Sequence, residues 1–336
     1  MNSDSASDVR AALFGVIALT TIASARADES EMKTRQPLDD AWWTGPIVTP
    51  GAGTLPQGHA LVEPYLFDVI RYARFDNDGE RRDADRTHSY GSLTYMLYGI
   101  TDRFTVGMIP TFGYNEAGPG LDSSGIQFGD FTVQGQYRLS QFAEGRRVPT
   151  SSVVIQQTFP TGKYDQLGDT PGDGLGAGVA TTTVGLYSQY YFWMPNGRIL
   201  RTRFNLTYAM SGDADVTDVS VYGTPEGFRG TASPGDVFAV QSSLEYSVTS
   251  NWVFAMDLIY QHDDSTRLAG EEPDPLTGNL QRIDEESGTA WRLGVAPAIE
   301  YNWSSRIGLI VGARWFFAGR NTNATLTPAI ALNMVY

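Results

Sequence analysis

From about residue 58 to the end of the chain, apolar and polar side chains alternate in segments of roughly ten to fifteen residues separated by turns. One face of the last segment carries Tyr336, Met334, Leu332 and Ile330, and the residues between them form the other face. A period of two indicates β-strands. Strands of an outer-membrane barrel need about 9–11 residues to cross the bilayer at a tilt. The alternation therefore predicts an all-β fold, a transmembrane antiparallel up-and-down β-barrel.

Composition agrees with this fold class. Of the 336 residues 41% are hydrophobic, yet no apolar run reaches the roughly 18 residues of a membrane-spanning helix. The mean hydropathy of -0.24 suits strands that alternate lipid-facing side chains with polar lumen-facing ones. The net charge of -14 disfavours nucleic acid as a partner. Cysteine is absent, which excludes disulfides and thiolate metal sites.

Residues 1–27 read as a signal peptide. Ala11–Leu19 is a short apolar run, and Ser24–Ala27 supplies a small-residue cleavage site after Ala27. The leading region carries Asp4 and Asp8, whereas positive charges are usual there. A disordered tail followed by one short core helix is the alternative.

Residues 28–57 do not alternate and are rich in Pro and Gly toward their end. We expect a periplasmic N-terminal segment that folds into or under the barrel, which would then comprise residues 58–336. The adjacent Trp42 and Trp43 suit anchoring at the membrane interface, the favoured interpretation, or plugging of the lumen.

The barrel region divides into about twelve strands. They are predicted at approximately 59–72, 88–100, 103–115, 127–139, 150–161, 177–193, 199–211, 236–248, 251–262, 289–302, 305–318 and 323–336. Connections after even strands are mostly short. Those after odd strands are mostly long, at 73–87, 116–126, 162–176, 212–235 and 263–288. Short periplasmic turns and long extracellular loops characterise this class, so both termini should be periplasmic.

Aromatic residues mark both ends of the faces predicted to point outward, as in the pairs Trp252 with Tyr260 and Trp291 with Tyr301. Such a spacing projects to roughly 20–25 Å along the membrane normal, which matches an apolar band flanked by aromatic girdles. The opposite faces are polar and should line the lumen, because Arg or Lys facing lipid near the midplane costs about 2–4 kcal/mol.

Five lumen residues are candidates for a selectivity constriction, since rings of charge filter permeants. They are Asp130, Gln134, Asp257, Arg292 and Arg314. The alternative is paired lining that holds the barrel interior together. At the C-terminus, Tyr336, Met334 and Leu332 are the expected signal for the barrel assembly machinery.

Three histidines are present, His59, His88 and His262, and no His-x-Ser pair shares a strand face, because Ser89 is adjacent to His88 and points the other way. An enzyme is therefore not expected, since a nucleophile needs a neighbouring base. We expect no cofactor and no metal. His262 and the two aspartates after it could ligate a metal, but a solvated rim is the favoured interpretation. The acidic stretch 263–288 reads as a solvated, self-repelling loop. Its alternatives are binding cations that bridge lipopolysaccharide, or repelling anions from the mouth.

Several short segments resemble the outer-membrane family named for the meta-pathway of phenol degradation. They are Thr54–His59 with Glu63–Tyr65, Tyr98–Arg103, Gly129–Leu139 and Phe159–Tyr164, within residues 54–164. The resemblance implies an outer-membrane transporter associated with catabolic uptake, and it carries over no catalytic residues.

The sequence therefore predicts a porin-like channel in the bacterial outer membrane for passive uptake of small molecules. Aromatic or hydrophobic catabolic substrates follow from the resemblance. The expected partners are outer-membrane lipid, lipopolysaccharide and the permeant. The alternative is a non-transporting structural or adhesive surface protein with a sealed lumen, whose interior would be filled by paired charges and bulky residues.

Overall fold

The computed structural model describes residues 35–118 and 120–336. The predicted signal peptide lies outside these residues. Within them, the strands are β1 (Ala60–Phe75), β2 (Arg81–Thr101), β3 (Phe104–Ile109), β4 (Thr111–Glu116), β5 (Gln127–Phe128), β6 (Phe131–Ser140), β7 (Thr150–Phe159), β8 (Thr181–Trp193), β9 (Ile199–Ser211), β10 (Ala214–Thr217), β11 (Arg229–Ser233), β12 (Val237–Ser247), β13 (Trp252–Asp263), β14 (Arg267–Pro273), β15 (Leu280–Glu286), β16 (Ala290–Asn302), β17 (Ile307–Arg320) and β18 (Thr322–Val335). Two short 3-10 helices span Leu38–Asp40 and Pro171–Asp173. No helix in the described ranges is long and apolar enough to cross a membrane.

The strands close into an antiparallel barrel. β1 pairs with β2 on one side and with β18 on the other, from Leu61 opposite Val335 to Phe75 opposite Thr322. β3 and β4 both pair with β2 and together form one strand of the wall. β6 pairs with β3 and β5 pairs with β4, so β5 and β6 together form the next strand of the wall. The wall therefore has twelve strand positions, which confirms the predicted fold. The first and last barrel strands therefore lie side by side. The N–H of Tyr336, at the end of the chain, donates to the carbonyl of Ala60, at the start of β1, at 2.8 Å.

The two faces of the wall are inverted relative to a water-soluble protein. Leu244 and Leu258 are 46% and 37% exposed on the outer face, whereas the neighbouring carboxylates Glu245 and Asp257 are fully buried inside. A wall that exposes large apolar side chains and buries charge needs a hydrocarbon solvent outside. Aromatic rings pair at both edges of this face, with ring centroids 4.6 Å apart for Trp252 and Tyr301. The barrel is therefore of the membrane-spanning class.

Three predicted elements differ from the observed ones. Strand 103–115 is divided at Pro110, which has no N–H for the ladder. Strand 127–139 is divided at Gly129 and Asp130. The predicted long loop 73–87 is mostly strand, because β1 and β2 extend beyond the barrel rim as a hairpin.

The interpretation of residues 263–288 as a solvated, self-repelling loop is wrong. This segment forms the hairpin β14–β15, which joins β10 and β11 in a second, four-stranded sheet on the extracellular side. Phe228 is fully buried in the apolar core of this sheet. The acidic charge is partly compensated, because both side-chain oxygens of Asp284 accept hydrogen bonds from Arg267 at 2.7 Å.

Candidate functional site

Residues 36–57 extend from the short turns into the adjacent half of the lumen, at the end of the barrel that the sequence predicts to be periplasmic, and we call them the plug. The segment starts at the periplasmic turns, where the N–H of Gln36 donates to the carbonyl of Gly197 at 3.0 Å. It then runs into the lumen and returns to the same end, where the hydroxyl of Thr54 donates to the carbonyl of Asp102 at 2.7 Å. The alternative that this segment folds into the barrel is therefore the observed one.

Two buried carboxylates of the inner wall accept hydrogen bonds from the backbone of the plug. Glu300 accepts from the N–H groups of Thr44 and Gly45, at 2.7 and 3.2 Å. Asp257 accepts from the N–H groups of Val48 and Thr49, both at 3.2 Å, and from the Thr49 hydroxyl at 2.6 Å. The carboxylates are anchors for the rising arm of the plug.

Side-chain donors of β9 and β6 bind the carbonyl groups that follow. Arg203 donates to the carbonyl of Thr49 at 2.7 Å, and Asn205 donates to that of Pro50 at 3.0 Å. The amide of Gln136 reaches the carbonyls of Gly51 and Gly53, both at 3.1 Å. The wall thus binds the plug mainly through its backbone, and few side chains of the plug are needed for the contact.

An ion-pair network supports the plug from below. Glu245 lies between Arg201 and Arg203, with its Oε2 at 2.7 Å from the Nε of Arg201 and 2.9 Å from the Nε of Arg203. All three side chains are buried. The guanidinium of Arg201 lies over the ring of Trp43, 4.4 Å from its centroid. The expectation that Trp43 anchors at the membrane interface is therefore wrong, because its ring packs inside the lumen.

The first three predicted lumen residues are already engaged in contacts. Asp257 binds the plug, as described above. Asp130 holds the extracellular connection, accepting from the N–H groups of Gly162 and Ala177 at 3.0 and 2.8 Å. Gln134 accepts a hydrogen bond from Gln156 of the neighbouring strand at 3.0 Å. Contacts of this type fit lining that holds the interior together, and the role of these residues in selectivity stays a prediction.

Arg292 and Arg314 lie above the plug on adjacent strands, and both guanidinium groups lie over the Phe316 ring. Their guanidinium carbons are 4.7 and 5.3 Å from the ring centroid. Gly294 makes this arrangement possible, because a Cβ atom there would lie 2.7 Å from Cδ1 of Phe316. Arg71 was not among the predicted lumen residues. It faces Thr325 of β18, and Thr325 also faces Phe316.

The extracellular half of the lumen contains a cavity of about 700 Å³. Apolar side chains dominate its lining, including Phe67, Val69, Leu175 and Val221. Tyr222 adds a hydroxyl group, and burial raises its pKa to about 12. The tyrosine therefore stays neutral at physiological pH, and this chamber suits small apolar molecules.

The extracellular connection that bounds this chamber is held by Asp173. Burial opposes its charged form, but hydrogen bonds from the N–H and hydroxyl groups of Ser124 and from the Thr170 hydroxyl outweigh it. Together with the nearby Lys163 charge they lower the pKa of Asp173 below its usual range. The loops on the two sides of the cavity are thereby joined.

The histidines lie apart from this chamber. Nδ1 of His88 is 2.8 Å from Oδ2 of Asp68, and both residues belong to the outward faces of their strands. Nε2 of His262 is 3.4 Å from Oδ1 of Asp264 at the rim. Across residues 35–118 and 120–336, no group of three or more His, Cys, Asp or Glu residues is placed to hold a metal ion.

The predicted assembly signal is the end of β18. Tyr336 is exposed, and Leu332 and Met334 alternate with the buried Ala331 and Asn333, so they belong to the outer face. Recognition of these residues by the assembly machinery stays a prediction.

Solved structures share this fold. An outer membrane channel from Pseudomonas putida F1 superposes with a TM-score of 0.64 at 16% identity, covering 86% of this chain and 100% of that one. At this identity the likeness concerns the fold alone.

Two further structures are more distant. A mutant of TodX, a monoaromatic hydrocarbon channel, gives a TM-score of 0.43 at 12% identity and covers 90% of this chain and 97% of its own. The Ralstonia pickettii toluene transporter TbuX gives 0.35 at 10% identity and covers 88% and 94%. No family model and no curated protein matches the chain.

Proposed function

We propose that this protein is a passive channel of the bacterial outer membrane for small molecules. The observation that carries the proposal is the chamber of about 700 Å³ inside a closed barrel whose outer face is apolar. A barrel of eight strands is filled by its own side chains, and one of about sixteen holds a wide aqueous channel. Twelve strands enclose an intermediate lumen, which the plug narrows at the periplasmic exit.

The lining of the chamber favours small apolar or aromatic permeants. Phe67, Val69, Leu175 and Val221 offer apolar contact, and Tyr222 offers one polar group. Pockets of this kind hold ligands mainly by apolar contact and orient them with few polar groups. The resemblance to the meta-pathway family supports the same class. Lipopolysaccharide and the assembly machinery complete the proposed set of partners, and no catalytic step is proposed.

Liposome swelling tests this function. Purified protein in liposomes should admit small solutes such as phenol or glycerol, with rates that fall as the solute becomes larger. Protein-free liposomes are the control for direct diffusion of phenol through the lipid. Equal swelling with and without folded protein for every solute would contradict the proposal.

The side chain of Arg314 is expected to influence ion selectivity, because a charge inside a low-dielectric wall acts strongly on passing ions. Arg314→Glu should shift the reversal potential toward cation preference in a salt gradient. Arg74→Glu is the matched control, since Arg74 is exposed and belongs to the outer face of β1. An unchanged reversal potential in a conducting Arg314→Glu barrel would show that Arg314 only packs the wall.

The alternative is a structural or adhesive surface protein with a sealed lumen. The buried network of Arg201, Arg203 and Glu245 beneath the plug favours it, because paired charges fill the periplasmic half. The rigid extracellular sheet would then be the binding surface. Solute flux separates the two functions.

A further inference from the structure

The inner wall above the plug carries a group of hydrogen-bond donors without acceptors. The Nε atoms of Arg71, Arg292 and Arg314 and the hydroxyl oxygen of Thr327 are buried and have no hydrogen-bond partner. An unsatisfied buried polar group costs about 1–3 kcal/mol, more when it is charged. Four such groups on four neighbouring strands therefore indicate a place where an acceptor is bound.

These groups are close to one another in the wall. Arg314 faces Thr327 across the ladder between β17 and β18, and Thr325 of β18 faces both Phe316 and Arg71. Arg292 and Arg314 share the Phe316 ring. The donors thus lie around the ring of Phe316.

The carboxylates of the lumen do not neutralise this group. None of the three arginines has an ion-pair partner within 4.0 Å in the described part of the chain. Arg292 donates to Gln261 at 2.8 Å, and Gln261 in turn donates to Asp263 at 2.6 Å. Asp263 therefore reaches the arginines only through a neutral amide. Asp257 and Glu300 of the wall bind the plug, and Glu245 pairs with Arg201 and Arg203.

An apolar surface adjoins the donors. Phe316 packs with Ile259 and with Ile47 and Val48 of the plug. On the other side, Phe67 and Val69 precede Arg71 on the inward face of β1 and line the chamber. A ligand that contacts this part of the chamber lining and the neighbouring donors has an apolar body and one anionic end.

We propose that Arg71, Arg292, Arg314 and Thr327 form a binding subsite for small aromatic or apolar monocarboxylates beside the chamber. Arginine matches a carboxylate because its planar fork offers parallel donors to the two oxygens. The Thr327 hydroxyl adds a fourth donor. The subsite rests on the proposed channel function and names the class of permeant that it selects.

Isothermal titration calorimetry of the protein in detergent micelles measures ligand binding directly. It therefore tests the subsite independently of channel conductance. The probes are benzoate and its neutral isostere benzamide. Benzoate should bind at least about tenfold more tightly than benzamide, which corresponds to one charge-assisted contact. Arg314→Gln and the double variant with Arg292→Gln should each weaken benzoate binding by at least about tenfold and leave benzamide unchanged.

Arg74→Gln is the matched control, because it removes one arginine from the outer face of the same strand as Arg71. Its benzoate affinity should equal that of the unchanged protein. Heat-modifiable mobility on gels verifies that each variant is folded, and Arg314→Gln alone decides the outcome should the double variant not assemble.

Equal binding of benzoate and benzamide, or full benzoate affinity in folded Arg314→Gln, would overturn the subsite. Inorganic phosphate that competes with benzoate at equal concentration would show a general anion site and reject the monocarboxylate class. Absence of solute flux with intact benzoate binding would reject the channel function and leave the subsite standing.

Discussion

Deletion of residues 36–57 should raise the single-channel conductance severalfold. The plug fills the periplasmic half of the lumen, where Asp257 and Glu300 hold its backbone. Its removal leaves a lumen bounded only by the wall, and conductance increases with the free cross-section of a pore. Recording currents from the deleted and complete proteins in planar bilayers under the same salt measures the change.

Glu300→Ala is the graded control for the deletion. It removes the acceptor of the Thr44 and Gly45 N–H groups and leaves the Asp257 contacts in place. We expect brief transitions to the conductance of the deleted protein. An unchanged conductance after the deletion, in barrels that retain heat-modifiable mobility, would show that the plug does not limit the pathway.

Glu245→Ala should destabilise the barrel by about 3–5 kcal/mol, because it leaves two buried arginines without their common anion. Arg201 and Arg203 then repel each other inside the wall, where all three side chains are buried. Urea unfolding in micelles, followed by tryptophan fluorescence, measures the free energy of unfolding.

Glu271→Ala is the matched control, since Glu271 belongs to the extracellular hairpin outside the barrel wall. It should change the free energy by less than about 0.5 kcal/mol. Replacing Glu245, Arg201 and Arg203 together by leucine should recover much of the loss, because no unpaired charge remains. A Glu245→Ala barrel as stable as the unchanged protein would mean that the network does not support the fold.

The barrel could be predicted because the membrane imposes a strict pattern on each strand. Lipid on one face and a polar lumen on the other require alternation, which is visible in Leu244 against Glu245 and in Leu258 against Asp257. The strand positions follow from that pattern and from the turns between strands. The strand division at Pro110 also has a signal in the sequence, since proline cannot donate to the ladder.

The plug could not be predicted in the same way. The wall recognises the backbone of Thr44, Gly45, Val48 and Thr49, and a backbone contact leaves little trace in the sequence of the segment. The extracellular sheet could not be predicted from the sequence for another reason. Its hairpin β14–β15 is stabilised by pairing with β11, a distant segment, and not by local alternation.

The residues of the proposed subsite could be predicted only in part from the sequence. Arg292 and Arg314 follow the alternation of their strands and were identified as lumen residues. Arg71 was not, because Asp68, Arg71 and Arg74 fall on both faces of β1 and give no single polar face. Only the register with Thr325 brings Arg71 to Phe316.

Single-channel recording of the purified complete protein tests the central claim most directly. Insertion into a planar bilayer should give discrete current steps of uniform size, with a conductance well below that of the protein lacking residues 36–57. Folded protein that inserts into the bilayer but gives no current steps at any voltage, with or without the plug, would contradict a channel and establish a sealed barrel.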